Sequence, residues 1–455
     1  MNTLTHPRDA RHPRQDAPPA RREVRIRAPL GVVHSLVLPP ASPRRLADTG
    51  LDEQMLIELV AKVFYLRGSL RLIDLVQHVR LPSVLLEEIL RFLRSERVID
   101  LLRRGASVGD VDYRLTESGR ARAAEYLRKC HYAGAAPVSL SDYAAQVRRQ
   151  SIAELRINQD DIEDAYRDIV VSSEFRDLIG AAMNSNRSMF FYGPSGSGKT
   201  FLAESLVRLL HGTIYVPHAL AVSGEIIQLF DPLIHRADGN EAAHRALDNR
   251  SRVDQRWVPC ARPVAISGGE LTIDMLDLQY DPITGFYQAP AHVKANNGIY
   301  IIDDLGRQLV RPDQLMNRWI VPMDRRRDYL NLHNGSSFEI PFDVKLVFST
   351  NLTPDVVADE AFLRRLGYKI HVGAVSESKY EQIFRQVCVE FGVEFNADAF
   401  ESLLGLHHRS NRPTLACYPR DLIAQMGNDA AYRECPLELS PQLVDWAWHS
   451  YFASQ

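Results

Sequence analysis

The chain has 455 residues, of which 45% are hydrophobic and 24% charged, with a formal net charge of −3. That is the composition of a globular protein of about three domains, and its near-neutral balance excludes a general polyanion-binding surface, so any basic face has to be local. No apolar stretch reaches the ~20 residues of a membrane span and no secretory signal opens the chain, so the expectation is no membrane insertion and a cytoplasmic location.

Residues 1–50 carry nine arginines and eight prolines. They hold too little apolar surface to offset their ordering entropy and are expected to form a disordered arm, either a basic tether for nucleic acid or an acidic partner, or a solvated tail. Over 51–132, helical periodicity runs through Leu51–Leu66, Leu70–Val79 and Ser83–Arg94, then short strands at Val98–Leu102 and Val111–Leu115, then a helix from Thr116. This order resembles a winged-helix domain. Ser83, Glu87, Glu88, Arg91 and Arg94 lie off the apolar stripe of its third helix. Two carboxylates beside two guanidiniums favour protein docking over DNA binding, with Arg103 and Arg104 on the wing left to touch phosphate. Residues 133–158 read as a linker.

The segment 159–375 carries the chemistry. Met189–Tyr192 is an apolar strand; Gly193, Pro194, Ser195, Gly196, Ser197, Gly198, Lys199 and Thr200 follow; Phe201, Leu202, Leu206, Leu209 and Leu210 then recur at helical spacing. This is G-x-x-x-x-G-K-[ST] between a strand and a helix, the setting in which a backbone wraps a polyphosphate. Three glycines let the chain approach and adopt positive φ, and the amides opening the helix face the phosphates. Gly193 through Phe201 are therefore expected to bind ATP, with Lys199 on the β- and γ-phosphates and Thr200 on Mg²⁺.

A strand at Thr213–Val216 and a helix near Glu225–Phe230 do not use up the span to the next motif, so 236–297 is expected to be an insertion. Within it, Phe286 and Tyr287 suit either an exposed partner-gripping loop or the core of a hairpin. Ile299–Ile302 then runs into Asp303 and Asp304, as a buried parallel strand with acids at its C-terminal end would. Asp303 is placed to hold Mg²⁺ and Asp304 to orient or deprotonate water. A helix at Arg311–Val321, a hairpin about His333–Ser336, a strand ending in Asn351 and a strand at Tyr368–Val372 complete the segment, and 376–455 reads as wholly helical. Asn351 would contact the γ-phosphate or the water. Five scattered cysteines lack metal-ligand spacing and read as reduced thiols, and His407–His408 reads as an ordinary helical pair.

These motifs in this order resemble the AAA+ ATPases over roughly 155–455. The resemblance implies an α/β P-loop core with a parallel sheet and a C-terminal helical lid, preceded by the winged helix. It implies Walker A at Gly193–Thr200, Walker B at Asp303 and Asp304, sensor 1 at Asn351, an arginine finger at Arg365 with Arg364 beside it, and sensor 2 at Arg420. The hairpin and the long span before Walker B look like the branch that includes MoxR-like chaperones and enhancer-binding activators, although the activators' G-A-F-T-G-A loop is absent. The family implies an ATP-hydrolysing homo-oligomer, a hexameric ring, that remodels a protein client or complex, such as a bacterial surface structure of the pilus kind, through its winged helix and inserted loops. A DNA-associated ATPase or regulator is the alternative. The family's usual second Walker B acid is Glu, and Asp304 is one methylene shorter, which opens a third reading, an ATP-gated scaffold with negligible hydrolysis.

Overall fold

A computed structural model describes residues 37–103, 111–237, 253–357 and 360–452. Most of the expected arm, the wing tip with Arg104, and much of the stretch 236–252 lie outside the described residues. The chain is α/β. Its centre is a five-stranded parallel sheet formed by β1 (Ser188–Tyr192), β2 (Val264–Ser267), β3 (Ile299–Ile302), β4 (Lys345–Thr350) and β5 (Leu366–His371). They lie in the order β2-β3-β4-β1-β5.

Every residue of β3 and β4 is buried, as strands covered on both faces require. Their alternation sorts the two faces. Ile299 and Ile301 pack with Ile179, Leu202 and Leu206, whereas Tyr300 and Ile302 pack with Leu315, Met316 and Trp319. Four helices follow the sheet, Glu377–Phe391, Ala397–Ser410, Tyr418–Tyr432 and Pro441–Tyr451, around a core that includes Tyr380, Phe384, Leu403, Ile423 and Trp448. His407 is buried with Nε2 3.0 Å from the Tyr380 hydroxyl, and His408 meets Glu377. Among the described residues no cluster of His, Cys, Asp or Glu is suited to a metal ion.

The expected insertion is more than an appendage. It supplies β2, which pairs with β3, and Trp257–Ala261, which pairs antiparallel with Thr213–Pro217. Its Gln279–Asp281 and Phe286–Gln288 join a second, mixed sheet with Glu225–Gln228, Ala219–Val222 and Val138–Ser139. Glu225–Gln228 is thus a strand rather than the expected helix, because its flanks pair in register with Ala219–Val222 and Phe286–Gln288. The expected linker is structural too. Its helix Leu140–Arg149 and the turn after it join the two sheets: Gln150 donates to Asn297 Oδ1 at 2.8 Å, and Ser151 donates to Asp343 at 2.8 Å.

Residues 37–50, assigned from composition to the arm, are fastened down. The Asp254 amide donates to the Pro40 carbonyl at 2.8 Å, and the buried Arg256 guanidinium, paired with Asp254, donates to the carbonyls of Thr49 and Pro137. In the N-terminal region, helices Glu53–Arg67, Leu72–Val79 and Ser83–Ser95 precede strands Ile99–Arg103 and Asp112–Leu115, which form a three-stranded antiparallel sheet with Leu70–Arg71. Thr116 caps the helix Glu117–Lys129 by accepting from the Gly119 amide. This region docks on the second sheet through Thr284–Phe286: His131 donates to the Thr284 carbonyl at 2.7 Å, and Phe286 meets Tyr132 edge-on at 5.7 Å. Phe286 and Tyr287 are therefore hairpin core and not an exposed loop, with Tyr287 1% exposed.

Candidate nucleotide site

The strand order fixes where the chemistry converges. β4 lies between β3 and β1, with Ile302 opposite Phe348 and Thr350 opposite Tyr192. The residues that follow these strands, Asp303, Asn351 and Gly193, consequently emerge side by side at the C-terminal edge of the sheet, where open parallel sheets bind ligands.

The loop after β1 turns on Gly193, Gly196 and Gly198, all at positive φ (147°, 81° and 95°). Gly193 has a second reason to be glycine, since a Cβ would stand 2.0 Å from the Val372 carbonyl oxygen. Ser197 is buried with its hydroxyl unpartnered by protein, a donor aimed at no protein acceptor. The helix then begins at Lys199 and runs to Ser205, continuing as a 3-10 turn to Leu209. Phe201 is exposed on it.

Lys199 is buried, and its ammonium donates to the carbonyls of Gly193 (3.0 Å) and Pro194 (2.8 Å). Burial lowers its pKa, the neighbouring Asp304 and Asp303 oppose that, and Arg307 adds to the lowering. The Thr200 hydroxyl donates to Asp303 Oδ2 at 2.7 Å. Hydroxyl and carboxylate side by side form the oxygen donor set that Mg²⁺ takes, and with the unpartnered Ser197 hydroxyl they fit a nucleotide with its metal. Asp304 is exposed on the turn after β3 at φ 49°, and Asn351 is exposed at the tip of β4.

Three expected site residues lie elsewhere. Arg364 pairs with Glu360 at 2.7 Å, and Arg365 donates to Asp324 at 2.9 Å. Both precede β5, whose Leu366 is opposite Ser188 at the start of β1. At about 3.3 Å per residue they are some 17 Å from their own phosphate loop. Arg420 belongs to the third C-terminal helix and donates to Glu390 at 2.7 Å. The contact between the helical region and the loop is made instead by 415–417: the Cys417 amide donates to the Gly196 carbonyl at 3.1 Å, and a Cβ on Gly196 would stand 2.5 Å from Cys417 Sγ. Burial pushes the Cys417 thiol up to about 11. Motif reading missed Arg307 and Gln308, which follow the acids closely but carry no pattern of their own, and Cys417, which reaches the site only through folding.

Residues 376–450 match a family described as a domain of unknown function (DUF8689). No curated protein matches the sequence. Among solved structures, NtrX from Brucella abortus in complex with ADP is 12% identical at a TM-score of 0.38, over 66% of this chain and 56% of that one. The Thermotoga maritima RuvB Holliday junction branch migration motor is 12% identical at 0.33, over 66% of this chain and 73% of that one. This chain thus spans little more than half of the NtrX chain, and likenesses at this level leave function to the molecule's own strand order and side chains.

Proposed function

We propose that this protein is an ATP-hydrolysing AAA+ ATPase that acts as a homo-oligomer, a hexameric ring, to remodel a protein client. The observation that carries the reading is the convergence of the Gly193–Thr200 loop, the Asp303–Asp304 turn and Asn351 on one sheet edge, with Thr200 bonded to Asp303. In this reading Ser197 and the loop amides hold the phosphates, Lys199 moves from the Gly193 and Pro194 carbonyls to the β- and γ-phosphates, and Thr200 and Asp303 hold Mg²⁺. The metal, when bound, supplies positive charge against the phosphate oxygens. Asp304 accepts the proton of the attacking water, and the Asn351 amide orients that water.

Arg365, with Arg364 beside it, faces away from its own loop and acts on the nucleotide of a neighbouring subunit. Lid movement follows the loop through the Cys417–Gly196 contact, and Arg420 enters the site only by leaving Glu390. The client surface is the winged helix, where Val84 and Phe92 are exposed beside Glu88 on the third helix. Apolar side chains mixed with Glu88, Arg91 and Arg94 suit a protein better than a run of phosphates. The hairpin Arg327–Asn331 with Ser337–Pro341 is no free client loop: His333 stacks on Tyr280 at 4.3 Å, and Asn331 donates to Asp277 at 2.9 Å.

The test is ATP turnover against protein concentration, with mass measured in ATP, for wild type, Asp304→Ala and Arg365→Ala. Turnover that rises with assembly and is lost in both variants, while nucleotide still binds, supports the reading. Wild type that binds and assembles yet turns over no faster than Asp304→Ala makes the protein an ATP-gated scaffold. Salt-sensitive DNA binding that disappears with residues 1–132 moves the client surface to nucleic acid.

A further inference from the structure

The turn after β3 presents both acids of the site, and its middle residue adopts a backbone that only glycine takes freely. Asp304 sits at φ 49°, a left-handed conformation that aspartate tolerates better than most residues but that persists only where the surroundings over-determine it. Main chain closes the turn on itself, the Arg307 amide donating to the Asp304 carbonyl at 2.9 Å, and ties it to neighbouring strands at two points. The Asp303 amide donates to the Ser267 carbonyl on β2 at 2.8 Å, and the Leu305 amide donates to the Ser349 carbonyl on β4, also at 2.8 Å. The Thr350 hydroxyl reinforces the second point by donating to the Leu305 carbonyl at 2.6 Å.

One side chain ties the closed turn to the tip of β2. Gln308 is 9% exposed. Its Nε2 donates to the carbonyls of Asp303 (3.0 Å) and Gly268 (3.1 Å), and its Oε1 accepts from the Gly306 amide at 2.8 Å. Both halves of the amide are thus used, closing a ring from the acid-bearing turn to the tip of β2. We propose that Gln308 is a positioning residue for ATP hydrolysis, locking the turn so that Asp303 and Asp304 stand fixed over the phosphate loop. This rests on the nucleotide-site reading above.

The chemistry required is narrow. Two carbonyls need a donor with two hydrogens, and one amide needs an acceptor on the same group, which a primary amide alone provides. Glutamate keeps the acceptor for Gly306 but turns an oxygen toward the two carbonyls. Alanine removes all three bonds. Neither change touches the phosphate-holding loop, and the Mg²⁺ ligand Asp303 keeps its bonds to Thr200 and Ser267, so the loss is expected mainly in the chemical step, where Asp304 acts, and much less in binding.

The experiment uses the full chain with Gln308→Glu and Gln308→Ala, measuring kcat, MgATP affinity, melting temperature and amide exchange at 303–308 without nucleotide. The expected result is a kcat at least ~10-fold lower in both variants with affinity within about threefold of wild type, the signature of a transition-state effect. Exchange at Gly306 is expected to quicken by ~10-fold or more in Gln308→Ala, as for an amide losing its only acceptor. A kcat within about twofold of wild type in both variants overturns the proposal. So does a loss of kcat matched by equal losses of affinity and melting temperature, which marks a merely structural role. If wild type itself turns over no faster than Asp304→Ala, the ATPase reading has failed. Gln308 is then judged on exchange, where unchanged Gly306 protection refutes the lock and faster exchange upholds it.

Discussion

The two ends of the core sheet are made by the same five strands and differ in how their charged groups are engaged. The C-terminal edge gathers glycines, a hydroxyl, two carboxylates and one lysine. At the N-terminal edge the cations are already partnered: Lys345, buried at the start of β4, donates to the carbonyls of Ala182 and Ser185, Arg326 donates to the carbonyl of Asn186, and the Asp343 carboxylate stands among them. Arg364 and Arg365 stand at the same edge. Helix Ser173–Asn184 ends just before β1, so the carbonyls at and after its C-terminus stand at this edge and accept from Lys345 and Arg326, whereas Arg364 and Arg365 are held by Glu360 and Asp324. The helix that starts at Lys199 offers its amides at the opposite edge, which favours anions there. Arg364 and Arg365 at the N-terminal edge are out of reach of their own loop.

The largest expected effect breaks that comparison in trans. Arg365→Ala should lower turnover by about 10³-fold or more, with little change in nucleotide affinity. Mixing inactive Arg365→Ala with inactive Lys199→Ala should restore part of the activity, because a sound loop then meets a sound finger. No recovery on mixing assembled subunits would falsify action on a neighbour. At the other edge, Asp304→Ala should reduce kcat by roughly 10²–10⁴-fold while leaving ATP affinity near wild type, which single-turnover kinetics beside equilibrium binding can separate.

Lys345 offers a smaller, pH-dependent contrast. Burial pulls its pKa from 10.5 to about 7. Below pH 7 the folded and unfolded states are both protonated and the burial penalty is complete. Between 7 and 10.5 the unfolded chain holds a proton that the folded chain has released, so this group's contribution to stability rises with pH. Wild type should therefore gain on Lys345→Met by on the order of 1–3 kcal/mol from pH 7 to 10, read from urea midpoints. A constant difference between the two would remove the buried-lysine account. The smallest effect is expected at Arg420 and Glu390, both more than half exposed. Breaking that pair with Glu390→Gln should cost under about 1 kcal/mol in a melt.

Legibility followed the reach of each signal. The Gly193–Thr200 loop could be read because its glycines, lysine and threonine are contiguous and flanked by a strand and a helix of different period. Ile299–Asp304 could be read because a strand buried on both faces is apolar throughout. The hairpin about His333 and the four C-terminal helices announced themselves by turn residues and helical spacing. The second sheet did not, since Val138–Ser139, Glu225–Gln228 and Gln279–Asp281 are two to four residues long and gain strand character only from partners far along the chain. The same holds for residues 37–50: their composition suits a free arm, and the burial of Arg256 against the Thr49 carbonyl fastens them.

The sequence by itself determined the phosphate loop, the acids that follow β3 and the helical character of the C-terminal region, because each is written in neighbouring residues whose backbone preferences agree. Tertiary structure alone decided that β4 lies between β3 and β1, which brings Asp303, Asn351 and Gly193 to one edge. It also decided that Arg365 lies at the other edge, that Cys417 rather than Arg420 meets the loop, and that Gln308 closes the turn. Those outcomes depend on strand order and on contacts between residues distant in the chain, as Gln308 with Gly268, or on side-chain geometry that no local periodicity encodes, as Gln308 with Asp303 and Gly306.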